Sequence, residues 1–280
     1  MFKHFTREEF VCQATGENEI EDELIYALDE LREHCGFPFV ITSGYRSPDH
    51  PIELGKKKPG THAQGIAADI AVSSGLQRYT IVKNAIKLVH HCTPWRGLNV
   101  LLRAMQDVEN PNIKLDVYSS CKVYGSEFSD NTEKDFEGLY EQADKLPNVN
   151  YIGYKPHEYI KEMMPNYDMF VYPSIFEETS CASALEALAS GVHVITNNFG
   201  ALYETCAEWP VYINYSKNYE QMAQDTAAAI NVAADYLHEE FMQEHLQNQQ
   251  DFYKRFYNWK KKGMEWTNFL KGALNERNSK

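Results

Sequence analysis

The residues that could do chemistry fall in two groups. The first lies in TSGYRSPDHPIELGKKKPGTHAQGIAADIAV, where His62 and Asp69 stand seven positions apart and Arg46 follows Ser43-Gly44-Tyr45. A histidine and a carboxylate are the ligand types of a catalytic zinc, which takes three from the protein and keeps a fourth position for water. A guanidinium fork such as that of Arg46 suits a substrate carboxylate or a developing oxyanion. The second group lies in FEETSCASALEALASGVHVITNNFGALYE, where Glu178 and Glu186 are eight positions apart. Between them a polar turn, Thr179-Ser180, leads into a helix of small residues, whose free N–H groups attract a phosphate or a sugar. Arg96, with Gly97 behind it at another helix start, places a charge beside the same kind of anion site. By spacing alone, His62 and Asp69 are equally a loop residue and a strand-end residue. Glu178 and Glu186 are equally two surface acids, and Glu177 is a neighbour of the same type.

The elements that must position these residues change in rhythm along the chain. Ile20, Leu24, Ile25, Leu28 and Leu31 recur at helical spacing, with Gly36 as a stop. FPFVITS and GIAADIAV read as short strands around a turn-rich loop, and SSGLQRYTIVKNAIKL as the helix that follows. Beyond it, GLNVLLRAMQDV, HEYIKEMMPNY and SCASALEALASG read as helices. They alternate with the strands IKLDVYSS, NVNYIGY, MFVYPS and VHVITNN. Helices alternating with short β-branched strands indicate a parallel, helix-covered sheet. From about residue 216 the pattern is helical to the end.

The totals exclude several classes. A formal net charge of −13 argues against a nucleic-acid backbone as partner, which needs a basic face. No apolar run is long enough for a membrane span. Six cysteines without a C-x-x-C pair, and an N-terminus MFKHFTREEF without an apolar signal segment, lead to the expectation of reduced thiols in a cytoplasmic protein.

Two family resemblances follow from these motifs. Thr61-His62-Ala63-Gln64-Gly65-Ile66-Ala67-Ala68-Asp69 resembles the S-x-H-x-x-G-x-A-x-D signature of the zinc D-Ala-D-Ala carboxypeptidases and phage endolysin peptidases, with Thr for the leading Ser. Ser43-Gly44-Tyr45-Arg46 matches the S-G-Y-R that accompanies it. The likeness covers roughly residues 3 to 88 and implies zinc on His62 and Asp69, with Arg46 facing the substrate. The family's third ligand is a histidine in a late strand, F-[IV]-H-x-D. That segment is missing after Leu88, which leaves His90 or His91 as the candidate by position, His90 being the one retained.

From about residue 92 to 273 the chain resembles the donor-binding domain of retaining GT-B glycosyltransferases of the large fourth family. Pro94-Trp95-Arg96-Gly97-Leu98 resembles the R-G helix start after that domain's first strand. NVNYIGYKPHEYIKEMMPNYDMFVYPS resembles the run from the nucleobase loop to the site strand. Glu178 and Glu186 stand where the family has its two glutamates, although E-G-F-G is common where this chain has Glu178-Thr179-Ser180-Cys181. The resemblance implies an NDP-sugar donor held without metal. Glu178 would bind sugar hydroxyls, Thr179 and Ser180 would lie at the donor, and Glu186 would bind the ribose diol. Arg96 and Gly97 would stand at the diphosphate, and Gly153, Tyr154 and Lys155 would flank the base.

The expected architecture is therefore α/β: a Rossmann-like parallel sheet with helices on both faces, half of a GT-B fold, at 91–280. A small, incomplete α+β peptidase-like domain precedes it at 1–90. The expected function is glycosyl transfer, weak or partner-dependent because the acceptor domain is not in the pattern. Glu178, and in the first part Arg46, are the candidate catalytic residues. A zinc peptidase acting on cell-wall peptides, or a non-catalytic fusion, are the alternatives. A cell-wall peptide or glycan is the candidate acceptor, and the C-terminal helix with Trp259, Trp266 and Phe269 a candidate surface for self-association.

Overall fold

Apolar residues at helical spacing build α1 (Asp22–Cys35), which ends where Gly36 follows it. The computed structural model describes residues 2–84, 86–110 and 112–278. They form two compact units, the first made of the residues before Ile86 together with Asn110 and Asn112, the second of the rest from Ile86 on.

In the first unit, β1 (Val40–Ser43) pairs antiparallel with β2 (Asp69–Ala71), and α2 (Gly75–Asn84) follows. Phe5, Phe10, Ile20, Ile25, Leu28 and Phe39 form its core. A two-stranded sheet is marginal by itself, so this small aromatic core carries the unit.

The second unit opens on β3 (Ile86–His90), where the sequence pattern predicts the end of a helix. The correction has a physical cause. Ile86, Leu88 and Val89 are all fully buried, so the strand is covered on both faces and reads as a continuous apolar run. It also moves the boundary: residues 86–90, expected in the first part, belong to the second unit's sheet.

After β3 come α3 (Leu98–Ala104), β4 (Ile113–Val117), α4 (Ser126–Thr132), α5 (Glu137–Asp144) and β5 (Val149–Tyr151). Next are α6 (His157–Met163), β6 (Met169–Tyr172), α7 (Ala182–Ala189), β7 (His193–Asn197), α8 (Leu202–Cys206) and β8 (Val211–Ile213). Three helices close the described chain: α9 (Tyr219–Tyr236), α10 (Glu240–Phe256) and α11 (Trp259–Asn278). The strands lie in the order β5-β4-β3-β6-β7-β8, every pair parallel. That is the doubly wound arrangement. The chain builds outward from β3 through β4 to β5, then returns to β6 on the other side of β3.

Side chains alternate across the sheet with period two. Leu88, Met169, Val171 and Ile195 face the cluster with α3 and α9. Val89, Phe170, Tyr172 and Val194 face the cluster with α7 and α10. Trp259, Trp266 and Phe269 on α11 are exposed. No helix among the described residues is long and apolar enough to cross a membrane.

Candidate functional site

In an open parallel sheet, ligands gather beyond the carboxyl ends of the strands where the strand order reverses. Here that point lies between β3 and β6. The segment after β3 turns through a short 3-10 helix, Pro94–Arg96, into Gly97. Gly97 adopts φ 112°, and a Cβ there would stand 2.2 Å from Pro173 O, just past the end of β6. Glycine is required on both counts, and it lets the two loops touch.

The contact brings Arg96 to Glu178. Arg96 Nη1 donates to Glu178 Oε1, and the guanidinium lies 4.3 Å from the Phe176 ring centroid. Glu178 is 4% exposed, so a bare carboxylate there would be costly; the pair satisfies it. Its backbone is fixed as well. Ala201 N–H donates to Glu178 O at 2.6 Å, and a Cβ on Gly200 would meet that oxygen at 2.4 Å. Thr179 and Ser180 stay exposed on the turn, and Cys181 caps α7.

The same unit opens a cleft of ≈ 330 Å³, lined by residues that include His91, Tyr118, Ser120, Tyr154, Lys155 and Glu186. Glu186 lies in α7, and its Oε1 accepts from His157 Nε2 at 2.5 Å. Gly153 lies near the start of the loop after β5, its N–H donating to Val117 O at 3.2 Å. Tyr118 is held from beneath: its hydroxyl lies 2.7 Å from that of Tyr167, which donates to Asp116 Oδ2 at 2.6 Å. The candidate residues of the second part thus collect at one sheet edge, in two sub-sites: Arg96, Gly97 and Glu178 at the switch point, and Tyr154, Lys155 and Glu186 in the cleft. Sequence reasoning missed His157, Tyr118, Tyr172 and Gly200. Of these, His157 begins the helix after the expected base loop, Tyr172 lies at the end of the expected site strand, and Gly200 follows the next strand, but none carried an assigned role.

His90 is corrected. It is the last residue of β3, fully buried, with Nδ1–H donating to Val171 O at 3.0 Å. Burial pushes its pKa down to about 4, and that of His91 to about 3. The His90 ring, enclosed in the second unit's core, serves neither as a metal ligand nor as a cation for phosphate.

In the first unit, His62 Nε2 lies 3.3 Å from Asp69 Oδ1, while Nδ1–H donates to Gly44 O at 2.7 Å. A carbonyl on Nδ1 is the arrangement that leaves Nε2 to a ligand. Arg46, however, is committed inward: Nη2 donates to Asp69 Oδ2 at 3.0 Å and Nε to Ser43 Oγ at 3.1 Å. Among the described residues no group of three or more His, Cys, Asp or Glu could hold a metal ion. This donor set does not fit a catalytic zinc, which needs three protein ligands.

A doubly wound domain with its crevice furnished in this way is half of the GT-B transferase architecture. The chain belongs to the group 1 glycosyl transferases: the family described as "Glycosyl transferases group 1" matches residues 82–254. Peptidase M15 matches residues 3–91. Nothing among curated proteins matches the chain. Among solved structures, a glycosyltransferase from Rickettsia africae ESF-5 is 16% identical at a TM-score of 0.53, over 71% of this chain and 50% of that one. HepE of Anabaena, solved with UDP and glucose, is 16% identical at 0.54, over 70% and 51%. Sucrose-phosphate synthase from Thermosynechococcus elongatus is 18% identical at 0.56, over 69% and 47%. These likenesses concern the fold, and the chain spans about half the length of the structures it matches.

Proposed function

We propose that the second unit binds a nucleoside-diphosphate sugar and serves as the donor side of glycosyl transfer. The observation that carries this is the Arg96–Glu178 pair at the switch point, in the unit whose cleft is lined by Tyr154, Lys155 and Glu186. A guanidinium is suited to a diphosphate, and two fixed carboxylates to the hydroxyls on either side of it. Transfer then depends on an acceptor side supplied by a partner or further domain. HepE, of the same fold, has been seen with UDP and glucose, so uridine nucleotides are the first probes.

Titration of the full chain with UDP, GDP and ADP is expected to give saturable binding to one of them. Glu186→Ala should weaken it about 10- to 100-fold, the worth of a hydrogen bond to a charged group. Failure of all three nucleotides to bind folded wild-type chain would defeat the proposal.

The first unit keeps a peptidase-like loop without a metal-dependent step. Dialysis against a chelator is expected to leave the thermal midpoint of the full chain unmoved. A fall of several degrees, reversed by zinc and absent in His62→Ala, would reveal a metal site there.

A further inference from the structure

Glu178 is held in an asymmetric way. The donors that reach its carboxylate, Arg96 Nη1 and the Tyr172 hydroxyl, both go to Oε1, the phenol at 2.5 Å. Among the described residues none donates to Oε2. Tyr172 ends β6, fully buried, on the sheet face it shares with Phe170. A phenylalanine would fill that space equally well, so packing alone does not account for the hydroxyl. Ser174 Oγ lies 3.1 Å from the phenol oxygen and accepts from Phe176 N–H at 3.2 Å. A carboxylate can only accept, so the phenol proton belongs to Glu178. Burial raises the pKa of Tyr172 far above the ordinary tyrosine value, so that proton stays in place.

The two donors are not equivalent. Arg96 is part-exposed and beside the crevice, and a diphosphate would draw it away from Glu178. Tyr172 is fixed in the strand and stays. Without it, the arrival of a phosphate would strip a buried carboxylate of its partners, which is costly.

Resting on the donor-site assignment above, we propose that Tyr172 is a positioning residue: it anchors Glu178 through Oε1 so that Oε2 is presented to a hydroxyl of the donor sugar while Arg96 turns to the diphosphate. The ligand class is thus a sugar nucleotide whose hexose carries a hydroxyl within reach of Oε2. An analogue lacking that hydroxyl would leave the oxygen unpaired.

The test measures UDP and UDP-glucose binding to the full chain by calorimetry, for wild type, Tyr172→Phe, Glu178→Gln and the double variant. Wild type is expected to bind UDP-glucose more tightly than UDP. Tyr172→Phe should weaken both ligands, because the diphosphate of either draws Arg96 off Glu178, and should weaken UDP-glucose about tenfold more than UDP. The double variant should lose no more than Glu178→Gln alone, because Tyr172 acts through Glu178. Unchanged UDP-glucose affinity in Tyr172→Phe, an equal loss for UDP, additive losses in the double variant, or no gain from the sugar in wild type would each overturn the inference. Absence of any nucleotide binding to wild type would instead remove the donor-site assignment itself.

Discussion

Gly97→Ala is expected to destabilise the second unit by about 3 kcal/mol and to abolish nucleotide binding. Two costs combine. The residue sits at φ 112°, where an L side chain is strained, and its new Cβ would lie 2.2 Å from Pro173 O. Neither neighbour can yield cheaply. Pro173 directly follows central strand β6, and Leu98, next to Gly97, begins a helix packed in the core. Separating the loops would also part Arg96 from Glu178. Urea unfolding of the full chain, read by tryptophan fluorescence, measures the first effect and nucleotide titration the second. A midpoint shift worth less than about 0.5 kcal/mol, the range of an ordinary surface change, would contradict the close approach.

Acid is expected to destabilise the second unit steeply between about pH 6.5 and pH 4. Burial pushes the pKa of His193 and His90 down to about 4 and that of His91 to about 3, with neighbouring His90 adding to the last. In the unfolded chain each would titrate near its ordinary value, about 6.5. Below that value the unfolded chain holds more protons than the folded one, so stability falls as pH falls. It stops falling on this account once the folded pKa is passed. Each buried histidine contributes up to about 1.4 kcal/mol per pH unit within the window. Asp168 works in the opposite direction at lower pH, because burial raises its carboxyl. Unfolding midpoints at about pH 7.5, 6.5 and 5.5 read the slope. His193→Leu provides the control: both ring nitrogens of His193 are buried without a hydrogen-bond partner, so its removal should flatten the curve. An unchanged slope in that variant would show that the ring is charged or solvated in the folded chain.

Much of the second unit was legible because its elements are local. Alternating apolar periods give the strands, small-residue runs give α7, and the two glutamates bracket its start, Glu178 before it and Glu186 within it. The first strand was not. Ile81 and Leu88 keep helical spacing, so the pattern runs through Asn84 without a break. Only burial on both faces makes 86–90 a strand, and burial belongs to the assembled sheet.

Legible along the chain were the fold class, the transferase family of the second part, and the residue types standing ready at Arg96, Glu178, Glu186, His62 and Asp69. The partnerships among these residues come from the assembled sheet. Arg96 and Glu178 are 82 residues apart and meet because β3 and β6 are neighbours in the sheet. Glu186 takes a hydrogen bond from His157, 29 residues away. His90, a ligand candidate by position, became core because β3 is central, and Arg46 closed on Asp69 because β1 pairs with β2. Spacing along a chain reports which groups are available. Which group satisfies which is set by long-range strand pairing and by the cost of leaving a buried charge alone.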